Sequence, residues 1–191
     1  LMAGARVEHA TIDVETFDPF TANATPQVVG LDNTDVLPAA TLTWRFVEDW
    51  QARAGYSRTL NRPDLRELSP SRFFDVESNV TYEGTTTLER ALIDNFDARV
   101  EYYYTADEVF SIGGFYKSFQ DPIEVLLRPA AETIFTWTNS DEAYSLGLEI
   151  EGRKRFDFIT QALENLYLAA NLTLITSEVQ VQKRPNADGS E

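Results

Sequence analysis

The chain has 191 residues, no cysteine, one histidine and 12% aromatic residues; 31 acidic side chains against 16 basic ones give it a net charge of −15. That charge argues against a nucleic-acid binder, and the lack of cysteine removes disulfides, thiolate nucleophiles and cysteine-held metals. No apolar run reaches the roughly 18 residues a transmembrane helix needs, a criterion blind to membrane-crossing strands, which look half polar.

In chain order, seven strands are predicted from alternation with period two. The first, about Leu1–Asp18, sets Leu1, Ala3, Ala5 and Val7 against Gly4, Arg6 and Glu8, and leaves no room for a signal peptide. The second, Leu37–Phe46, lines up Ala40, Leu42, Trp44 and Phe46; the third, Trp50–Thr59, lines up Trp50, Ala52, Ala54 and Tyr56. The fourth, Leu92–Tyr104, carries Phe96, Ala98, Val100, Tyr102 and Tyr104, and the fifth, Val109–Phe119, carries Phe110, Ile112, Gly114 and Tyr116. The sixth, Tyr144–Lys154, shows Tyr144, Leu146, Leu148 and Ile150; the seventh, Leu166–Ser177, shows Leu166, Leu168, Ala170, Leu172 and Leu174. None of these apolar-face positions is charged. The charges, among them Arg45, Arg53, Asp97, Arg99, Glu101, Lys117, Glu149 and Glu151, share the other face.

Short and long connections alternate. Val47-Glu48-Asp49 and the stretch Thr105–Val109 are short, and Arg155–Asn165 is intermediate. The long polar stretches fall at about 18–36, 60–89, 120–143 and 178–191. Short turns at one end and long loops at the other are the pattern of outer-membrane barrels, whose short turns are periplasmic and long loops extracellular. Phe46, Trp50, Tyr104, Phe110, Phe156 and Phe158 flank the short turns, while Tyr56, Tyr116 and Tyr144 lie six residues along their strands. Six residues span about 20 Å, close to the height of a lipid-facing apolar band between two aromatic girdles.

The expected fold is therefore all-β: an antiparallel up-and-down transmembrane barrel segment forming one partial barrel domain over 1–191. Seven strands cannot close a single-chain barrel, which uses even strand numbers, so the chain reads as an internal piece cut near Gly189. The competing reading is a soluble β-sandwich that binds a glycan or a protein, with the apolar face as its core. A barrel enzyme such as a protease or lipase is a third.

Little supports catalysis. His9 has no cysteine to share a metal with, and Ser57 and Ser145 have no histidine base. Glu149 with Glu151, and Asp97, Arg99 and Glu101, read as charge ladders on the wet face together with Arg53 and Arg153. No phosphate loop or dinucleotide fingerprint is present, and no catalytic residue, cofactor or metal is expected. Arg66, Arg72, Phe73, Phe74 and Tyr82 mix cations with aromatics and are the candidate ligand-binding loop residues, suited to an anionic siderophore or a sugar ring. Ordinary loop packing accounts for them equally well.

The run Tyr56-Ser57-Arg58-Thr59-Leu60-Asn61-Arg62-Pro63-Asp64-Leu65-Arg66-Glu67-Leu68-Ser69-Pro70 closely resembles a segment of TonB-dependent outer-membrane receptors. Glu83-Gly84 stands where that family often has a Gly-Asn-Pro-like turn. Gly114-Phe115-Tyr116-Lys117 before Asp121-Pro122-Ile123-Glu124, and Ser145-Leu146-Gly147-Leu148-Glu149-Ile150-Glu151, are similar to its strand patterns. The resemblance implies a barrel of about 22 strands filled by a plug domain, in the bacterial outer membrane. It implies active uptake of a scarce solute such as a ferric siderophore, cobalamin or oligosaccharide. The partners it implies are outer-membrane lipid, the plug and remaining strands, and the TonB complex reached through the plug.

Overall fold

The computed structural model describes residues 1–16, 27–105, 107–128 and 134–180. They form β1 (Met2–Thr16), β2 (Gln27–Val47), β3 (Trp50–Asn61), a single helical turn α1 (Leu65–Leu68), β4 (Arg72–Asp75) and β5 (Val80–Glu83). There follow β6 (Ala91–Thr105), β7 (Glu108–Gln120), β8 (Ile123–Arg128), β9 (Ile134–Asn139), β10 (Glu142–Arg155), a 3-10 turn at Gln161–Leu163 and β11 (Tyr167–Gln180).

The seven long strands make one antiparallel sheet in the order β1-β2-β3-β6-β7-β10-β11, so each pairs with the next long strand along the chain. This is the expected up-and-down arrangement. The sheet is not closed: β1 and β11 are not paired with each other among the described residues.

Its register sorts the faces into rows. Leu42, Ala54, Ala98, Gly114, Leu148 and Leu174 stand opposite one another across six strands. The next row is Trp44, Ala52, Val100, Ile112, Ile150 and Leu172. One residue out of phase, on the other face, run Thr43, Arg53, Arg99, Gly113, Glu149 and Thr173. A one-residue slip would exchange the two sets, so the pattern itself pins the register.

The sandwich reading requires a second layer over the apolar rows, and there is none among the described residues. Leu146 is 50% exposed, Leu168 58% and Leu148 41%. The buried apolar residues, Leu37, Leu68, Leu88, Ala91 and Ile134, all lie at or beyond the long-loop end of the sheet.

Aromatic rings mark both edges of the apolar rows. At the short-turn end Trp50 packs on Tyr102 with centroids 4.8 Å apart, and Tyr102 meets Tyr104 at 4.4 Å. At the other end Tyr56, Phe96, Tyr116 and Tyr144 are linked at 5.0, 6.4 and 6.3 Å. At that second ring Glu178 stands opposite Tyr144 and accepts from its hydroxyl at 2.9 Å, and beyond it the same face turns polar: Arg58 forks onto Asp94 at 2.9 and 2.8 Å, and Glu142 follows on β10.

Strand β2 begins at Gln27, within the stretch read as a loop over 18–36, and its first ten residues continue the ladder with β1. Polarity changes sides there. His9, paired with Thr34 at 3.0 Å, continues the face of Val7 and Val36, while Ile12 opposite Leu31 lies on the face of Glu8 and Asp35. The proline-bearing residues 17–26, Pro129 and the tail from 181 lie outside the described residues.

A second, four-stranded sheet occupies the stretches read as loops over 60–89 and 120–143. Its order is β4-β5-β9-β8. The β4–β5 hairpin belongs to the connection from β3 to β6, the β8–β9 hairpin to that from β7 to β10, and β5 joins β9 in parallel. The β4–β5 turn is held by Asp75, which accepts from the Glu77 N–H at 3.0 Å and the Ser78 hydroxyl at 2.8 Å, with Asn79 at φ 55°.

Candidate ligand-binding face

The helical turn α1 positions the first candidate residue. Asp64 opens it, its N–H bonded to the Glu67 carboxylate at 2.9 Å, and Leu68 closes it with a fully buried side chain. Burying one leucine contributes about 1.5–3 kcal/mol, enough to seat so short a turn. Gly84 packs among the carbonyls of Arg66, Glu67 and Ser69, and the next N–H, of Thr85, donates to Glu67 O at 2.7 Å. This leaves the Arg66 guanidinium over the Phe73 ring, 4.8 Å from its centroid.

Alternation along β4, β5 and β9 puts Phe73, Tyr82, Phe135 and Trp137 on one face. Phe73 and Tyr82 face each other across the hairpin, 5.3 Å apart and 12° from parallel. Trp137 stands 5.5 Å from Tyr82 and 6.3 Å from Phe73, and Phe135 stands 5.8 Å from Tyr82. A column of three rings would place its ends much further apart, so Phe73, Tyr82 and Trp137 form a triangular patch. They line a cleft of about 830 Å³ with Arg66, Ser69, Ser71, Phe74 and Asp75. The Ser78 hydroxyl and the Glu77 N–H hold the Asp75 carboxyl below the ordinary carboxylate range, so it is ionised beside Arg66.

Four of the five candidates thus meet in one cleft: Arg66, Phe73, Phe74 and Tyr82. Arg72 does not. It alternates onto the opposite face of β4, where it binds Glu83 at 2.5 Å. The same carboxylate accepts from Arg128 at 2.7 Å, so Glu83 fastens one hairpin to the other. Burial pushes the Glu83 carboxyl up, but Arg128 and then Arg72 outweigh it and hold the group below its ordinary range. Thr85 adds bonds to the Thr136 hydroxyl at 2.9 Å and to Trp137 O at 2.6 Å, and Asn139 exchanges bonds with the Glu89 backbone at 2.8 and 3.0 Å. Phe135, Trp137 and Asp75 were not among the sequence candidates, although the spacing of Phe135 and Trp137 carried the alternation that places them.

The polar face of the large sheet holds the expected ladders. Glu101 meets Arg53 at 3.2 Å and Arg99 at 3.8 Å, and Arg99 reaches Glu149 at 3.5 Å. Gln51 donates to Glu101 and, at 3.0 Å, to the Tyr103 hydroxyl oxygen. Arg153 instead turns to the Asp107 carbonyl at 2.6 Å. At the long-loop end Asp35 is buried against Arg90 at 2.6 Å and Arg62 at 3.6 Å, and Arg62 also binds Glu8. His9 sits near Asp32, and among the described residues no cluster of histidine and carboxylates suits a metal.

A family model described as TonB dependent receptor-like, beta-barrel matches residues 1–191. Among solved structures, the siderophore receptor PirA from Pseudomonas aeruginosa superposes with a TM-score of 0.64 at 16% identity, over 93% of this chain and 35% of that one. A mutant of the ferric enterobactin receptor PfeA from the same organism, in complex with enterobactin, gives 0.59 at 18% identity over 90% of this chain and 27% of that one. At these identities the likeness speaks to fold alone, and the chain spans about a quarter to a third of the length of these neighbours. No curated protein matches the chain.

Proposed function

Because the chain belongs to the TonB-dependent receptor β-barrel family, we propose that it forms part of the wall of an outer-membrane receptor that takes up a scarce solute by TonB-coupled active transport. The observation that carries this reading is the seven-stranded meander whose uncharged rows lie uncovered while its charged rows share the other face. The uncovered rows face lipid between the two aromatic rings, and the charged rows face the water-filled or plugged interior. The short turns are periplasmic and the second sheet is extracellular. The plug fills the barrel and passes the pull of TonB to it.

The solute, such as a ferric siderophore, cobalamin or an oligosaccharide, is met first at the cleft of Arg66, Phe73, Phe74 and Tyr82. Siderophore receptors among the structural neighbours support a receptor of this kind. None of the steps is chemical: the residues present bind and release.

The test is uptake by cells producing the full-length receptor, with growth on a panel of sole iron, cobalamin and carbon sources as the readout. Accumulation that stops in a strain lacking TonB, and when the proton gradient is collapsed, is the expected result. Recovery of the receptor in the soluble fraction, or uptake indifferent to TonB, would refute the reading.

A further inference from the structure

We propose that the aromatic patch shared by the two extracellular connections binds neutral carbohydrate, with a sugar ring packed against Tyr82 and Trp137 and with Asp75 and Arg66, the latter covering Phe73, hydrogen-bonding its hydroxyls. The proposal rests on the receptor reading above and narrows its solute class.

Three observations point to a sugar. The first is shape. Three rings within 28° of parallel, their centroids closing a triangle of 5.3, 5.5 and 6.3 Å, make an offset-stacked apolar cluster that lines the cleft. The electron-rich face of an aromatic ring attracts the polarised C–H groups on the flat side of a pyranose. The surface is longer than one ring: Val125 and Leu127 stand opposite Trp137 and Phe135 on the same face, and both are exposed. Four strands at about 4.8 Å spacing give it a width of about 14 Å.

The second is charge. The cleft holds one cation, Arg66, and one ionised carboxylate, Asp75. The connection over 60–89 carries more carboxylates than arginines, within a chain of net charge −15. Such a surface repels an anionic chelate and leaves a neutral ligand unaffected. The arginines that could offset it are engaged: Arg72 with Glu83, Arg62 with Glu8 and Asp35.

The third is the mix of donors and acceptors. Arg66 donates, Asp75 accepts, and Ser69 and Ser71 do both, all beside an apolar floor. A polyol needs both kinds of partner around one flat face. Since Phe73 and Tyr82 come from one connection and Trp137 from the other, the platform exists only while the β5–β9 seam is closed.

The experiment uses the full-length receptor in detergent micelles. It is applied to an array of neutral α- and β-linked hexose and pentose oligosaccharides, with a ferric tris-catecholate complex titrated separately as the anionic comparator. Saturable binding of at least one neutral oligosaccharide is expected, changing less than about twofold between about 50 and 500 mM salt. Trp137→Ala and Tyr82→Ala should each weaken it about tenfold, with the folded barrel checked by its heat-modifiable gel mobility, while Glu151→Gln on the large sheet leaves it unchanged. A blank array, neutral binding that survives both aromatic substitutions, or saturation by the catecholate complex alone overturns the proposal. If the array is blank while TonB-dependent uptake of another solute persists, the transport reading stands and only this assignment falls.

Discussion

The Glu83 carboxylate lies 2.7 Å from the Arg128 guanidinium, although Glu83 follows β3 in the chain and Arg128 follows β7. With Arg72 donating to the same oxygen at 2.5 Å, Glu83 is the acid that ties the two hairpins into one sheet. Both arginines are partly exposed, so each pair alone is weak, and the effect is local. Glu83→Gln should speed amide hydrogen exchange in β8 and β9, on the far side of the seam, and leave β6 and β7 unchanged. Acid should do the same. The folded Glu83 carboxyl titrates below its ordinary value, so its contribution is complete above about pH 4.3 and disappears as pH falls through the lowered value. Exchange mass spectrometry, corrected for intrinsic rates, would read both. Equal protection of β8 in the variant and the wild type would mean that the parallel ladder holds the seam without the acid.

Gly84, just past the end of β5, has no room for a side chain. A Cβ there would lie 2.6 Å from Glu67 O and 2.7 Å from Arg66 O, and would run into Ser69 O as well. All three obstacles are backbone, which cannot swing aside. Gly84→Ala should therefore cost about 1–3 kcal/mol locally, lift α1 and take Arg66 off Phe73. Faster tryptic cleavage at Arg66 and Arg72, with unchanged heat-modifiable mobility of the barrel, is the expected readout.

The large sheet was legible because its apolar and polar positions alternate over long runs, and each strand meets its neighbour in the chain. The loop sheet was not. β4 and β5 have four residues each, too few for a periodic signal, and β5 takes its parallel partner from a connection some fifty residues on. Phe73 and Tyr82 could be picked out by residue type, but Trp137 joins them only through that partner. Pro19, Pro26 and Gly30 make the stretch 18–36 read as a loop, yet Gly30, Asp32, Asn33 and Asp35 all lie within β2. They are strand residues that rise past the aromatic ring, where the outward face no longer has to be apolar.

Arg99 reaches Glu149 across β7, and Gly113 is what lets it pass. Gly113 stands between them in the row, and a Cβ there would come within 3.3 Å of Arg99 Cβ and 3.1 Å of Ala98 O. Gly113→Leu should fill that path and uncouple the pair. Because both side chains are about two-fifths exposed, the coupling in a double-mutant cycle of Arg99→Ala and Glu149→Gln should stay below about 1 kcal/mol in the wild-type background. It should fall to zero when the cycle is repeated in the Gly113→Leu background. Undiminished coupling there would show that the arginine takes another route.

Leu148 and Glu149 are neighbours in sequence, yet the fold sends them to opposite faces, and the proposed membrane orientation stands or falls on that pair. Leu148 lies in a row of Leu42, Ala54, Ala98, Gly114 and Leu174, midway between the aromatic rings, with none of the described residues layered over it. If lipid covers it, Leu148→Lys strips an apolar contact and forces a charge into hydrocarbon, at about 2–4 kcal/mol near the midplane. Glu149→Gln on the watery side changes only a half-exposed charge. The lysine variant should therefore lose most of its folded, heat-modifiable outer-membrane form, while the glutamine variant assembles like the wild type. Equal assembly of both would mean that water, not lipid, bathes the uncharged rows; destabilisation only by Glu149→Gln would mean that the faces are assigned the wrong way round.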